Sequence, residues 1–353
     1  MGGSIFGKAF RITTFGESHG KAVGVVVEGV TPGLPLTEAD IQIELDRRKP
    51  GQSEVATPRQ ESDTVHILSG VFEGRATGCP IALVIWNADA RPEAYRDLAE
   101  VFRPGHADYT YHAKYGIRDH RGSGRASGRE TAARVAAGAI AKKVLAPAGV
   151  TIRAYTLQIG AVRAERVDLD EVDRNPVRCP DPSAAARMVE AIREARDQKD
   201  SLGGIVECRA TGVPAGLGEP VFDKLDADLA KAMLSLGAVK GIEFGAGFGA
   251  VTMRGSEHND ALTAEGFATN HAGGVLGGIS TGAELVFRIA VKPTSSIGRE
   301  QVTVDLDGRE RRIAIGGRHD PCICPRIVPV VEAMAALVLV DHLKRQSALR
   351  GGA

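Results

Sequence analysis

Irregularly ordered helices and strands, a mid-chain stretch rich in glycine and arginine, and the lack of a nucleotide-binding glycine loop together predict an α+β fold. Helical and strand periodicities do not alternate in the regular way that builds a parallel sheet. No G-x-G-x-x-G follows the first strand and no Walker loop occurs, which disfavours a dinucleotide or P-loop domain. Glycine is abundant, 43 of 353 residues, as expected where backbone turns tightly or approaches a ligand. This length allows one large domain or two. Residues 161–185 are the best linker candidate, but no boundary shows there, so 1–353 is read as a single domain.

Residues 8–30 read as two strands around the turn Phe15-Gly16-Glu17-Ser18-His19-Gly20. Thr37 caps a short helix to about Arg48, with Ile41 and Leu45 on its apolar face. A polar loop runs to about Asp63, and strands follow near 64–70 and 81–86. Residues 87–128 show little periodicity, and a structureless stretch of that length inside a compact protein is usually functional or disordered. Ser127 and Glu130 fit a capping box opening an Ala-rich helix to about Leu145, which stops before Pro147 and Gly149. Strands near 150–160 and 204–211 flank a charged helix at 183–198. A helix fits 224–236, ended by Gly237. A Gly-rich segment fills 241–282, a strand 284–291, and a final helix runs from about Pro329 to Leu349. Arg-Ala-Thr-Gly-x-Pro occurs at 75–80 and again at 209–214, a weak sign of an internal repeat.

Composition excludes several classes. Lys+Arg and Asp+Glu both number 44, so no global basic field points to nucleic acid. No apolar run approaches the roughly 20 residues of a membrane span, and the first ten residues lack a signal-peptide core. The cytoplasm is therefore the expected compartment. Five scattered cysteines suit reduced thiols rather than a disulfide framework or a zinc site. No histidine pair has metal-ligand spacing, so no metal is expected.

The charge is nevertheless uneven. Arg103, Lys114, Arg118, Arg121, Arg125, Arg129 and Arg134 face only Asp108, Asp119 and Glu130 within 103–134. A charge run alone reads as a solvated loop. Glycines and a helix start in the same segment make it an anion site, where backbone N–H groups, a positive helix end and guanidinium forks converge. Histidines also stand in glycine-bounded loops at His19, His271 and His319, where they can serve as acids or bases near neutral pH.

Gly16-Glu17-Ser18-His19-Gly20 resembles the N-terminal signature of chorismate synthases. So does Arg103-Pro104-Gly105-His106-Ala107-Asp108, with Tyr109-Thr110-Tyr111 after it. Residues 121–131 (RGSGRASGRET) resemble the family's second signature, and Gly317-Arg318-His319-Asp320-Pro321-Cys322 its third. Asn270-His271-Ala272-Gly273-Gly274 and Lys292-Pro293-Thr294-Ser295-Ser296 match as well. The blocks keep the family order from residue 4 to about 345.

The resemblance implies a β-α-β sandwich and a homotetramer. It implies conversion of 5-enolpyruvylshikimate 3-phosphate to chorismate by a 1,4-anti elimination, which needs reduced FMN without net redox change. It assigns His19 to protonating the departing phosphate and His106 to protonating or stabilising the reduced flavin. Asp320 would assist removal of the C6 hydrogen; His319 beside it is open to an exchanged role. FMN contacts fall on Arg125, Ala126, Ser127, Gly237, Ala238, Gly277, Lys292, Pro293, Thr294, Ser295, Ser296 and Arg318. Arg48, Arg103, Arg129 and Arg134 are the candidates for the substrate's anions. Ser127 has two assignable roles, capping the helix and facing flavin. Two departures stand out: Ala126 replaces a frequent serine, and Glu54 stands where some relatives carry an arginine tied to a pyridine-nucleotide site. An enzyme without the insertion of bifunctional fungal relatives, relying on an external flavin reductant, is expected. The alternative is another FMN enzyme, such as a flavin reductase.

Overall fold

The computed structural model describes residues 3–57, 59–89, 92–316 and 319–351. Two five-stranded antiparallel sheets form its outer layers. The first contains β1 (Ile5–Phe6), β2 (Arg11–Gly16), β3 (Ala22–Glu28), β4 (Val65–Ile67) and β5 (Ile81–Trp86), in the order β1-β2-β3-β5-β4. The second contains β6 (Thr151–Ile159), β7 (Val162–Arg163), β8 (Gly204–Thr211), β9 (Val239–Phe244) and β10 (Leu285–Val291), in the order β9-β10-β8-β6-β7. The helices are α1 (Glu38–Arg48), α2 (Asp108–Tyr115), α3 (Thr131–Leu145), α4 (Pro182–Asp197), α5 (Leu225–Leu234) and α6 (Cys324–Leu349).

Helices α3 and α6 lie between the sheets, α3 against β2, β3 and β5, and α6 against β6 and β8. That layering is the expected β-α-β sandwich. Composition explains it. Val23, Val25 and Val27 alternate inward on β3 and are fully buried, the pattern of a half-covered strand. Every residue of α6 from Ile327 to Val340 is buried and, Glu332 apart, apolar, so this helix belongs in a core. The helices cross closely because α3 is built from small side chains. A Cβ on Gly138 would lie 2.4 Å from that of Ala333.

The expected strands and helices form, with four differences. Within 87–128 a 3-10 turn covers Pro92–Leu98 and α2 is a full helix. Helix α2 lacks an apolar stripe, because only Asp108 on it is buried. It is held instead by the left-handed Gly116 at its end and the Tyr111–Tyr115 ring pair one turn apart. Helix α6 starts five residues before Pro329, since its burial outweighs the backbone hydrogen bond a proline in the second turn removes. At α3 the capping box is only half made. Ser127 Oγ accepts from Arg129 N at 3.2 Å, but Glu130 turns to Thr14 Oγ1 and Arg134 Nε, both at 2.8 Å. Finally, the repeated hexapeptide sits in unlike settings. Arg75–Ala76 lies in a two-stranded ribbon, whereas Arg209–Thr211 closes the central strand β8.

Candidate active site

A cleft of about 1110 Å³ opens where α3 and α6 both present their N-terminal ends. Ser127, Gly128 and Thr131 lead into α3, while Ile323, Arg326 and Ile327 begin α6, and all six line the cleft. Two helix N-termini give it exposed N–H groups and partial positive charge. Among the described residues, eleven arginines and lysines line it against five acids. A chain of zero net charge has thus gathered its cations here, beyond the 103–134 segment where the sequence located them.

Most of the expected residues converge on it. His19, His106 and Asp320 line the cleft, as do Arg48, Arg103, Arg129 and Arg134. So do Arg125, Ala126, Ser127, Gly237, Ala238, Lys292, Thr294, Ser295 and Ser296. Pro293 is absent from the wall and packs towards Gly203. Gly277 lies outside the cleft. Its turn meets the start of α5 through Leu225 N to Gly278 O at 2.8 Å, while the cleft touches the other end of α5 at Leu234, roughly 15 Å away along a ten-residue helix. Arg318 lies outside the described residues.

The candidate arginines are not free forks. Arg48, 1% exposed, and Arg129, 3% exposed, share the buried carboxylate of Asp63. Arg48 also donates to Thr131 Oγ1 at 3.2 Å, and Arg129 to Asn87 Oδ1 at 2.7 Å. Five donors per guanidinium leave spare N–H groups on both. Burial disfavours the Asp63 carboxylate, but Arg48 and Arg129 together hold its pKa below the usual range. Arg103 grips Asp108 with Nε and Nη2 at 2.7 and 2.9 Å. Arg134 bonds Ser235 Oγ at 2.6 Å. These pairs fix direction at the cost of charge, so the site is pre-shaped before any anion arrives.

His19 stands in the β2–β3 loop, its Nδ1 3.0 Å from Ser18 Oγ and its ring edge-on to Tyr95 with centroids 4.9 Å apart. Gly122 lets the ring approach: its φ is +77°, and a Cβ there would lie 2.4 Å from His19 Nδ1. His106 Nε2 is 2.8 Å from Ser123 Oγ. Asp320 accepts from Thr57 N at 2.9 Å and pairs with Arg326. His319 Nε2 is buried without a partner among the described residues. Burial is the first cause lowering the pKa of His19, His106 and His319 alike. All three imidazoles are thus poised to be neutral until an anion draws a proton in.

Against known proteins, a family model described as chorismate synthase matches residues 10–344. The chain belongs to the chorismate synthase family. A chorismate synthase of Methanosarcina mazei is 59% identical over 98% of this chain and 97% of its own. One of Opitutus terrae is 58% identical over 98% of both chains. A solved structure titled as a crystal structure of chorismate synthase superposes with a TM-score of 0.77, at 32% identity over 98% of this chain and 94% of that one.

Some cleft residues of this family member escaped the sequence. Asp63, which lies behind Arg48 and Arg129 and outside the cleft lining, reads only as the end of a polar loop. Arg326 was hidden because the last helix was started at Pro329. Arg59 and Tyr95 lie in segments without periodicity. The one available signal was Cys324-Pro325, since proline is favoured in a first helical turn.

Proposed function

We propose that the basic cleft is where this lyase of the chorismate synthase family eliminates phosphate from 5-enolpyruvylshikimate 3-phosphate, with reduced FMN bound beside the substrate. One observation carries the reading: His19, His106 and Asp320 converge with the Asp63-locked arginines on one cleft where cations outnumber acids by eleven to five among the described residues. A single small ligand takes roughly 300–1,000 Å³, so this volume suits two anionic molecules side by side. The donor set fits a flavin phosphate, with Arg125, Lys292 and the Ser295–Ser296 hydroxyls available for it. Ala238, in the left-handed region at φ +73°, marks a strained backbone of the kind that collects at ligand sites.

When bound, the reduced flavin supplies electron density to the reacting carbons and takes it back. Arg48 and Arg129 use their spare donors to orient the substrate's anions. His19, neutral in the free protein, gains a proton as the dianionic phosphate arrives and returns it to the leaving group. His106 would protonate or stabilise the reduced ring. Asp320, paired with Arg326, would assist removal of the C6 hydrogen. Ser127 keeps its cap on Arg129 N and remains exposed to the cleft. The reading includes an external reductant, since Glu54 is ion-paired with Arg193 at the surface and offers no second cation beside Arg48. It also includes a homotetramer and a cytoplasmic setting.

The test is phosphate release under anaerobic conditions. Release should require reduced FMN, and His19→Ala and His106→Ala should each lower kcat at least ~10²-fold, as loss of an acid does. Unchanged rates in either variant would remove that residue's role.

A further inference from the structure

The two ring nitrogens of His106 face different groups. Nδ1 lies 3.0 Å from Asp108 Oδ1, and Nε2 lies 2.8 Å from Ser123 Oγ. Asp108 is 5% exposed. It is held by Arg103 through both guanidinium contacts and through the Arg103 backbone N–H at 3.1 Å. Ser123 lines the cleft. It precedes a 3-10 turn, yet its side chain makes no capping bond, so the hydroxyl is committed to His106.

We infer that Asp108, His106 and Ser123 form a three-member relay in which the Ser123 hydroxyl, not the imidazole, presents the proton to the ligand in the cleft. The inference rests on the proposed role of His106. The Asp108 carboxylate, 3.0 Å from Nδ1 but out of line for a hydrogen bond, favours a proton on that nitrogen by its charge. The variable proton is therefore the one on Nε2. In the imidazolium, Nε2–H donates to Ser123 Oγ, and the hydroxyl hydrogen points outward to an anionic or basic ligand atom. Transfer breaks the Ser123 O–H bond towards the ligand and breaks Nε2–H towards Ser123. The serine ends unchanged, the ring ends neutral with Nδ1–H retained, and the ligand has gained one proton. The charges facing His106 are Asp108, which favours the imidazolium, and Arg103, Lys292 and His319, which oppose it when charged. Asp108 is a positioning residue here, and Ser123 a catalytic one.

Two measurements test this. The first is 15N NMR of the histidine-labelled protein without ligands. Neutral His106 should show Nδ1–H with a bare Nε2, and Asp108→Asn should lower its pKa. An Nε2–H tautomer in the parent protein overturns the relay. The second is the pH profile of phosphate release for Ser123→Ala and Ser123→Thr. Ser123→Ala should lower kcat at least tenfold with KM values within about threefold, and Ser123→Thr, which keeps a hydroxyl, should recover most of the rate. Full kcat in Ser123→Ala across the pH range overturns the relay. If His106→Ala also keeps full activity, the role of His106 itself fails. If His106→Ala is impaired and Ser123→Ala is not, only the relay fails. Should Asp108→Asn fold poorly, the Ser123 pair and the parent tautomer still decide.

Discussion

Replacing Asp63 with asparagine tests the framework that aims the two central arginines. The substitution conserves shape, and the left-handed backbone at residue 63, φ +50°, tolerates asparagine as it does aspartate. What it removes is the anion between two guanidiniums that are themselves 1% and 3% exposed. Taking one partner from a buried pair costs about 3–5 kcal/mol. Unfolding entropy of ~2.1 cal/mol/K per residue over 353 residues gives roughly 0.7 kcal/mol per degree, so a cooperative melt should drop by about 4–7 °C. The effect has a defined pH window. The folded pKa of Asp63 is depressed, so its contribution is present above the unfolded value near ~4 and is lost as pH falls through the lower folded value. The gap in Tm between parent and variant should therefore be full at pH 7 and close below about pH 4. In the phosphate-release assay KM should rise about tenfold or more, the size of one charge-assisted hydrogen bond, with a smaller change in kcat. A shift in Tm under about 1 °C at pH 7 together with an unchanged KM would refute the idea that Asp63 organises the site.

Other consequences follow from close approaches and burial. Gly122→Ala puts a methyl group 2.4 Å from His19 Nδ1 at a φ of +77°, so kcat should fall at least ~10-fold while circular dichroism shows the fold retained. Gly138→Ala places its Cβ 2.4 Å from that of Ala333 and 2.6 Å from its Cα. The α3–α6 crossing must then open, and a destabilisation of roughly 1–3 kcal/mol should appear in chemical denaturation. The His19 pKa, lowered first by burial and then by Arg59, should read below 6.5 by NMR in the free protein and rise when inorganic phosphate or substrate binds. Glu332, 1% exposed and paired with Arg47 and Lys142, has its pKa pulled to about 2. Glu332→Ala should cost about 3–5 kcal/mol at pH 7 and progressively less as pH falls from about 4 towards 2.

The fold was legible where periodicity is strong. The valines of β3, the apolar face of α1 and the small residues of α3 each announce an element and the side it buries. Legibility failed where tertiary partners decide. Glu130 has the spacing of a capping box but serves Thr14 and Arg134, which lie close only after β2 docks on α3. Pro329 reads as a helix start and sits in a second turn, because the surrounding core keeps α6 continuous through it. Helix α2 carries no stripe at all. The site was legible as a cluster of motifs, but its wiring was not. Nothing in the sequence links Asp63 to Arg48 and Arg129, or Ser123 to His106, since those contacts are made by loops 15 to 66 residues apart. Gly277 belongs to the Gly-rich segment 241–282, yet it is not among the residues that line the cleft.

The most direct measurement of the central claim is a crystal structure of the protein with FMN and 5-enolpyruvylshikimate 3-phosphate both bound. The account predicts the substrate's anions within hydrogen-bond distance of Arg48 and Arg129, its phosphate at His19, and the flavin ring between the substrate and the His106–Ser123 pair. Ligands ordered elsewhere on the chain, with this cleft left to solvent, would contradict it.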